Sequence, residues 1–313
     1  MIESGSHTPG VDPADFRLPD GTALRYERSA PALEGLVGDY FMLDSQEPAE
    51  YVSEWMLPNW PVIRFVLADN PLVVEGDGWR WEPMLEAGFY GPTTRASRML
   101  TKGGVTIGVS PTPAGVARMF DIDLARYRNR MVPLGSLIGQ ETCVALVESL
   151  RASDRGIAVK PILDAFFAAT MSVPHPAEAQ IARLNALLLD EDIRTVDELA
   201  EAMDLPIHGL RRLALRRFGF PPKVLMIRAR FLRSLIALKA VGATQGYRAI
   251  DDAYTDTSHF LRDSQRFLGM TAQRFLRLPT PYLDAMLRAR AIVIGQPIPT
   301  LATNPLPPAE KAA

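Results

Sequence analysis

Cysteine is nearly absent: Cys143 is the only one in 313 residues. No intrachain disulfide can form, and a reducing compartment is expected. Histidine is scarce as well, with four in the chain, His7, His175, His208 and His259. None lies in residues 31–120, which argues against a histidine metal site or a Ser-His-Asp set there. No apolar run is long enough to span a bilayer. The opening MIESGSHTPG has neither a basic nor an apolar stretch, so no secretory signal is expected. Phosphate-cradling or dinucleotide glycine patterns are missing too, since Gly-Asp-Gly-Trp at 76–79 lacks their spacing. The expectation is a cytoplasmic protein that is not an enzyme, carries no cofactor and has no membrane partner.

Net charge is also small, at −2. Taken whole, that excludes a polybasic tail protein. The mean hides a split. Residues 1–205 hold 17 Lys and Arg against 30 Asp and Glu, a net of −13. Residues 206–290 hold 16 against 5, a net of +11. Residues 291–313 are neutral, with Lys311 and Glu310. A basic segment of this density points to an anionic partner, most often nucleic acid. The plainer reading is a solvated arginine-rich helical surface.

Hydrophobic residues make up 47% and charged residues 22%, an ordinary globular composition. The length suggests two domains. Residues 1–30 read as a loose leader, rich in turn formers. From 31 to 120 the pattern is β-like: VIRFVLA at 62–68, a turn at Gly76-Asp77-Gly78, alternating Trp79 and Trp81, then GFYGPTT at 88–94 and GGVTIGVSP at 103–111. Short strands at this spacing predict a small barrel or sandwich. Leu134, Leu137, Ile138, Val144, Val147 and Leu150 then recur at helical steps. Helices are predicted over 131–172, over 177–189 and in short pieces beyond 195. The tail, with Pro297, Pro299, Pro305, Pro307 and Pro308, reads as disordered from 291.

The segment 195–218 carries the most chemistry. Thr195 with Glu198 forms a capping-box pattern. Val196, Leu199, Ala200 and Met203 give an apolar face. Asp204-Leu205-Pro206 ends that helix, because Asp tolerates the left-handed conformation. On the next helix Ile207, Leu210, Ala214 and Phe218 share one side, and His208, Arg211, Arg212 and Arg216 another. Two short helices joined by a tight turn, the second with a cationic face, have the layout of a helix-turn-helix. Arginine on such a helix can bond guanine edges in the major groove.

Residues 222–271 sharpen the pattern. Pro222-Lys223 leads into a long helix containing Arg230-Phe231. Then come Ala249, Ala253-Tyr254, D-x-S-H-F-x-R-D at 256–263 and Phe267-Leu268-Gly269-Met270-Thr271. With L-A-x3-D at 199–204 and L-x-R at 210–212, this order resembles the AraC family of bacterial transcription regulators over roughly residues 178–278. The front half is more weakly similar to the sensory half of one AraC subgroup, through Pro31, Leu33, LPNWPVIRFVL at 57–67, Gly91-Pro92 and GVSPTPAG at 108–115. The resemblance implies a multidomain α and β protein: a leader (1–30), a sensory or dimerisation domain (31–176) with a cupin-like β-barrel (31–120) and helices (131–172), an all-α double helix-turn-helix DNA-binding domain (177–290) and a disordered tail (291–313). It also implies double-stranded DNA as partner, a small-molecule effector, a homodimer, and RNA polymerase if the protein activates.

Carried over by position, the resemblance puts His208, Arg211 and Arg212 on the first recognition helix and Thr257, Ser258 and Arg262 on the second. Arg216, Arg217, Lys223, Arg230 and Arg266 are its phosphate-contact candidates, and His259 is either a DNA contact or a packing residue. No metal site is implied. Several positions depart from the family pattern. Asp204 stands where Gly is usual, Pro206 for Ser, Ala253 for Gly, Ser264 for a core Phe and Ala272 for Pro. Pro206 removes a hydroxyl cap but is tolerated at a helix start, and Gly209 weakens its helix. These departures motivate an alternative, an adaptor module whose helix-turn-helix domain no longer binds specific DNA. In the front half, Glu75, Asp77, Glu82 and Glu86 could form a carboxylate site, but surface hairpin charges explain them better. Trp55, Trp60, Trp79 and Trp81 could line a ligand pocket or simply fill the core. Cys143 reads as core.

Overall fold

The structure is a computed structural model that describes residues 1–46, 52–68, 73–76, 79–82, 84–101, 103–241, 250–252, 254 and 256–298. The turn residues Asp77 and Gly78, the motif positions Ala249 and Ala253, and Pro299, Pro305, Pro307, Pro308, Glu310 and Lys311 lie outside these residues.

Val62–Leu67 (β4) shows how the front half is built. Its alternation sends Ile63, Phe65 and Leu67 into one core, while Val62 and Arg64 face the other way. It pairs antiparallel with Gly104–Pro111 (β9) on one side and Ala87–Tyr90 (β7) on the other. The sheet extends through Val37–Ser45 (β2) to Thr22–Glu27 (β1) at one edge and Met131–Pro133 (β10) at the other, in the order β1-β2-β9-β4-β7-β10. A second sheet has the order β3-β8-β5-β6, from Val52–Met56, Ser97–Thr101, Val73–Gly76 and Trp79–Trp81. No hydrogen-bonded strand pair joins the two sheets among the described residues. The expected barrel is therefore not closed; the sheets face each other across a cavity.

The outer face of the six-stranded sheet, with Tyr40, Phe65, Phe89 and Ile107, packs on helices. These include Pro113–Phe120 (α1), the short Gly135–Ile138 (α2), Gln140–Ala152 (α3) and Val159–Thr170 (α4). Cys143 is buried on α3, and burial pushes its thiol pKa up. The predicted helical region from 131 opens instead with strand β10.

Six further helices follow: Glu178–Leu189 (α5), Val196–Ala202 (α6), Ile207–Phe218 (α7), Pro222–Val241 (α8), Thr257–Leu268 (α9) and Ala272–Leu276 (α10). The core beneath the sheet continues without a break through Leu184, Leu199, Leu210 and Phe218 to Leu225. A second cluster joins Phe231, Leu235, Phe260, Phe267 and Phe275 around α8, α9 and α10. The architecture is thus a β-rich N-terminal part and a helical C-terminal part.

Two segments differ from their sequence reading. The leader is ordered: Phe16 is fully buried, and Gly5 bridges to Arg25 on β1. The last helix, Pro281–Ile294 (α11), runs into the expected tail. It bridges the two parts: Leu287 joins the cluster around α8, α9 and α10, while its other face meets the β-rich part. Ala285, Ala289 and Val293 pack against Phe16, Leu24, Tyr26 and Phe41 of the β-rich part. Small residues on one helical face let the backbone approach the sheet, a long-range partner that local periodicity does not name.

A buried ion pair fixes that approach. Arg290 Nε donates to Asp39 Oδ2 at 2.9 Å. The hydroxyls of Tyr26 and Ser110 donate to Asp39 Oδ1 at 3.1 and 2.7 Å. Burial and the Asp39 charge raise the Tyr26 pKa, so its proton stays in place as a donor. Removing one partner strands a charge in the core. We expect Asp39→Ala or Arg290→Ala to cost about 3–5 kcal/mol, read as a lower urea midpoint. The double variant with Asp39→Leu and Arg290→Met should recover part of the loss.

Candidate nucleic-acid interface

The α6–α7 pair forms where the sequence places its caps. Thr195 Oγ1 accepts from the Glu198 amide at 3.2 Å, and Glu198 Oε2 accepts from the Thr195 amide at 3.0 Å. Asp204 takes φ +53°, the left-handed conformation that turns the chain out of α6. Pro206 starts α7 without a side-chain cap. Gly219, at φ +81°, ends α7 and frees the chain to turn toward α8. Leu199, Ala200 and Met203 of α6 and Leu210, Ala214 and Phe218 of α7 are buried. Their burial turns His208, Arg211, Arg212 and Arg216 outward; the first three are exposed, and the Arg216 side chain is about half exposed.

A 20-residue α8 then carries the chain about 30 Å. On α9, Asp256 caps the start by accepting from the His259 amide at 2.7 Å. Phe260, Phe267 and Leu268 point inward, while Thr257, Ser258, Arg262 and Arg266 are exposed. Thr271 caps α10. Ser264, at a position where the family has a core Phe, is buried and donates to the Met270 carbonyl at 2.9 Å. The first helix of a second helix-turn-helix would fall largely on residues outside those described. The groups do converge: Arg211 of α7, Lys223 of α8 and Arg266 of α9 line one hollow.

Two phosphate-contact candidates are not available. Arg217 is buried, with Nη1 2.7 Å from Asp121 Oδ1 and Nη2 against the His175 ring at 3.1 Å. Arg230 lies over the Tyr254 ring at 4.3 Å and donates to Asp263 at 3.3 Å. Both face inward because the buried faces of α7 and α8 are wider than the apolar residues alone suggest. His259 is edge-on to Tyr254 at 5.2 Å and 3.3 Å from Arg230. Burial and Asp263 raise the Tyr254 pKa, keeping its hydroxyl as donor to that carboxylate. Arg216 also reaches Asp121, at 3.3 Å. The Arg217 bond, with help from His175 and Arg216, holds the Asp121 carboxyl below its usual pKa. Asp121 was invisible as a partner because it stands 95 residues before Arg216.

The basic segment is thus partly internal. Arg233 pairs with Asp251, Lys239 with Asp284 and Arg290 with Asp39. Solvent-facing cations remain at Arg211, Arg212, Arg216, Lys223, Arg262 and Arg266, joined by Arg274 and Arg277, which the motifs do not single out.

The cavity between the sheets, about 180 Å³, is lined by Trp55, Trp60, Trp81, Tyr90, Met99 and Arg64 and closed on one side by Tyr282, Met286 and Leu287 of α11. Trp79 instead lies tilted against Trp81, with ring centres 4.2 Å apart. Arg64 sits 5.2 Å from the Tyr90 ring, and burial lowers its pKa. No group of three or more His, Cys, Asp or Glu able to hold a metal occurs among the described residues. Glu75 and Glu82 are taken by Arg80, and Glu86 by Arg151.

No family model and no curated protein matches the chain. Solved structures are similar to it at low identity. A structure of ToxT from Vibrio cholerae shares 8% identity and a TM-score of 0.42, covering 82% of this chain and 98% of that one. ToxT from Vibrio cholerae O395 shares 10% at a TM-score of 0.38, covering 82% and 98%. CuxR, described as an AraC-like transcriptional activator, shares 14% at 0.26, covering 67% and 84%. Overlaps at these scores carry no functional weight alone.

Neighbouring arginines on α7 should behave differently in folding. Arg217→Met should cost about 1–3 kcal/mol, whereas Arg216→Ala should stay within about 0.5 kcal/mol. Paired urea titrations would check the contrast.

Proposed function

We propose that the chain is a sequence-specific, DNA-binding transcription regulator of the AraC type that responds to a small-molecule effector. One observation carries the reading. Two helices, α7 and α9, present cationic and hydroxyl faces to solvent on either side of α8, and Arg211, Lys223 and Arg266 share the hollow between them. In this reading α7 offers His208, Arg211 and Arg212 to base edges, and α9 offers Thr257, Ser258 and Arg262. Arg216, Lys223 and Arg266 take phosphates. Successive major-groove faces about one helical turn apart would receive the two helices. His259 serves packing, as its ring contacts with Tyr254 and Arg230 suggest.

The β-rich part senses. An effector entering the cavity between the sheets meets α11, which follows α10 directly in the chain. It changes DNA binding only if it binds two arrangements of the chain unequally. The acidic charge of residues 1–205 favours keeping this part off the duplex. A homodimer would place two basic domains on two half-sites, and RNA polymerase would be a partner in activation. No helix among the described residues is long and apolar enough to cross a membrane, and we place the protein in the cytoplasm.

The deciding experiment is selection of bound sequences from random duplex DNA at physiological salt. A defined motif is expected, and a flat one overturns the reading. On the selected site, Arg212→Ala and Arg262→Ala should each cost about 1–3 kcal/mol, measured by fluorescence anisotropy. Asp121→Asn keeps the left-handed turn and an oxygen acceptor for buried Arg217, while it removes the charge that also holds Arg216. It should strengthen binding to random-sequence DNA and steepen the salt dependence by about one unit of log–log slope.

A further inference from the structure

Arg64 is a charged residue in the middle of an apolar strand. It stands on β4 between Ile63 and Phe65, and its side chain enters the cavity between the sheets. No carboxylate of a described residue pairs with it. Nη2 donates to the Met56 sulfur at 2.9 Å, and a thioether is a weak acceptor. Nε is sealed from solvent without a partner. Nη1 bonds to no described residue and, unlike Nε, is not sealed. The guanidinium lies 5.2 Å from the Tyr90 ring centre, and burial lowers its pKa. One ring face offsets only part of the cost of taking a cation out of water. Arg228 also lacks an acid, but protein encloses it: it is 2% exposed, against the Trp60 ring and the Thr93 carbonyl. Arg64 is only half-buried, and it lines open space in the cavity.

The rest of the wall limits what can lie beside that cation. Trp55, Trp60, Trp81, Tyr90 and Met99 make it mainly apolar and rich in rings. Trp81 meets Tyr90 edge-on at 5.5 Å. The other charged groups on the wall are already engaged. Glu54 accepts from the Trp55, Tyr282 and Leu283 amides, and Arg290 is paired with Asp39. Among the described residues, Arg64 is thus the cation on this wall that is open to a ligand. The cavity measures about 180 Å³. An apolar cavity of roughly 150 Å³ holds benzene, so this one admits one ring or two fused rings.

We propose that this cavity binds a planar aromatic monocarboxylate, with its carboxylate on the Arg64 fork and its ring among the tryptophans. Nη1 and Nη2 match the two carboxylate oxygens. The ligand takes Nη2 from the Met56 sulfur, which a flexible thioether yields readily. A single open cation favours a single negative charge. A phosphate dianion would leave its second charge buried and unpaired, and a long acyl chain exceeds the volume. Two of the walls also touch the helical part: Trp60 meets Phe218 of α7 at 5.5 Å, and Trp55 meets Phe275 of α10 at 6.0 Å. A bound ring therefore rests on side chains that pack against α7 and α10. The proposal rests on the reading of this cavity as the sensing site, and it names the class of effector.

The test is isothermal titration of the full-length chain, without DNA, with 2-naphthoate, its neutral amide and octanoate. Saturable one-to-one binding of 2-naphthoate is expected, with the amide and octanoate weaker on the order of tenfold or more. Arg64→Met removes an unpaired cation and keeps an unbranched side chain. It should weaken 2-naphthoate to the level of the amide and leave the amide unchanged. Circular dichroism melts report whether the variant folds; if it does not, Arg64→Gln takes its place. No saturable binding of 2-naphthoate overturns the proposal, and so does binding that the Arg64 variant leaves unchanged. Amide binding as tight as that of the acid also overturns it, as does octanoate binding at least as tight as that of 2-naphthoate. None of these outcomes alters the result of the DNA selection, so failure here is distinct from failure of the regulator reading.

Discussion

A guanidinium taken out of water needs a counter-charge, and this chain is organised by how its arginines meet that need. Asp39 receives Arg290, Asp121 receives Arg217, Asp263 receives Arg230 and Asp251 receives Arg233. Each pairing removes a cation from the set that can face a partner. What remains exposed lies on α7, at the start of α8, on α9 and on α10. The proposed DNA-facing surface is in this sense the remainder left by the core's electrostatics. Arg228 and Arg64 instead lie against ring faces, of Trp60 and Phe220 and of Tyr90, with no ion pair to a described residue.

The same pairs tie the two parts of the molecule together. Asp121, at the end of α1, grips two arginines of the first candidate recognition helix. Asp39, near the start of β2, grips α11, which arrives 251 residues later. Glu54 adds a third tie, accepting from the Tyr282 amide at 2.6 Å; its burial raises the carboxyl pKa. A core that runs unbroken from the sheet to α7 leaves little room for the parts to move independently. α11 lines the cavity between the sheets and also packs Leu287 into the helical cluster, which joins the two.

Much of the helical part was legible in the sequence because its signals are local. The Thr195–Glu198 box, the left-handed Asp204 and the outward set His208, Arg211, Arg212 and Arg216 all depend on residues within a turn or two of one another. Strand alternation in VIRFVLA and GGVTIGVSP was legible for the same reason. Barrel closure was not, since it depends on pairing between distant strand edges. The ordered leader escaped notice because what holds Phe16 is a helix from the far end of the chain. Arg217 and Arg230 looked like free cations because each partner acid is remote in sequence.

By itself the sequence determined the capping box and the apolar faces of α6 and α7, and the separation of acidic from basic halves. These depend on side-chain type and short-range spacing, which the linear chain records. Only the tertiary structure decided which arginines are consumed, that α11 docks on the sheet, that two sheets face each other without closing, and that Arg228 is buried against the Trp60 and Phe220 rings. Those outcomes depend on desolvation and on contacts across scores of residues, and charge counted along a chain carries no information about either.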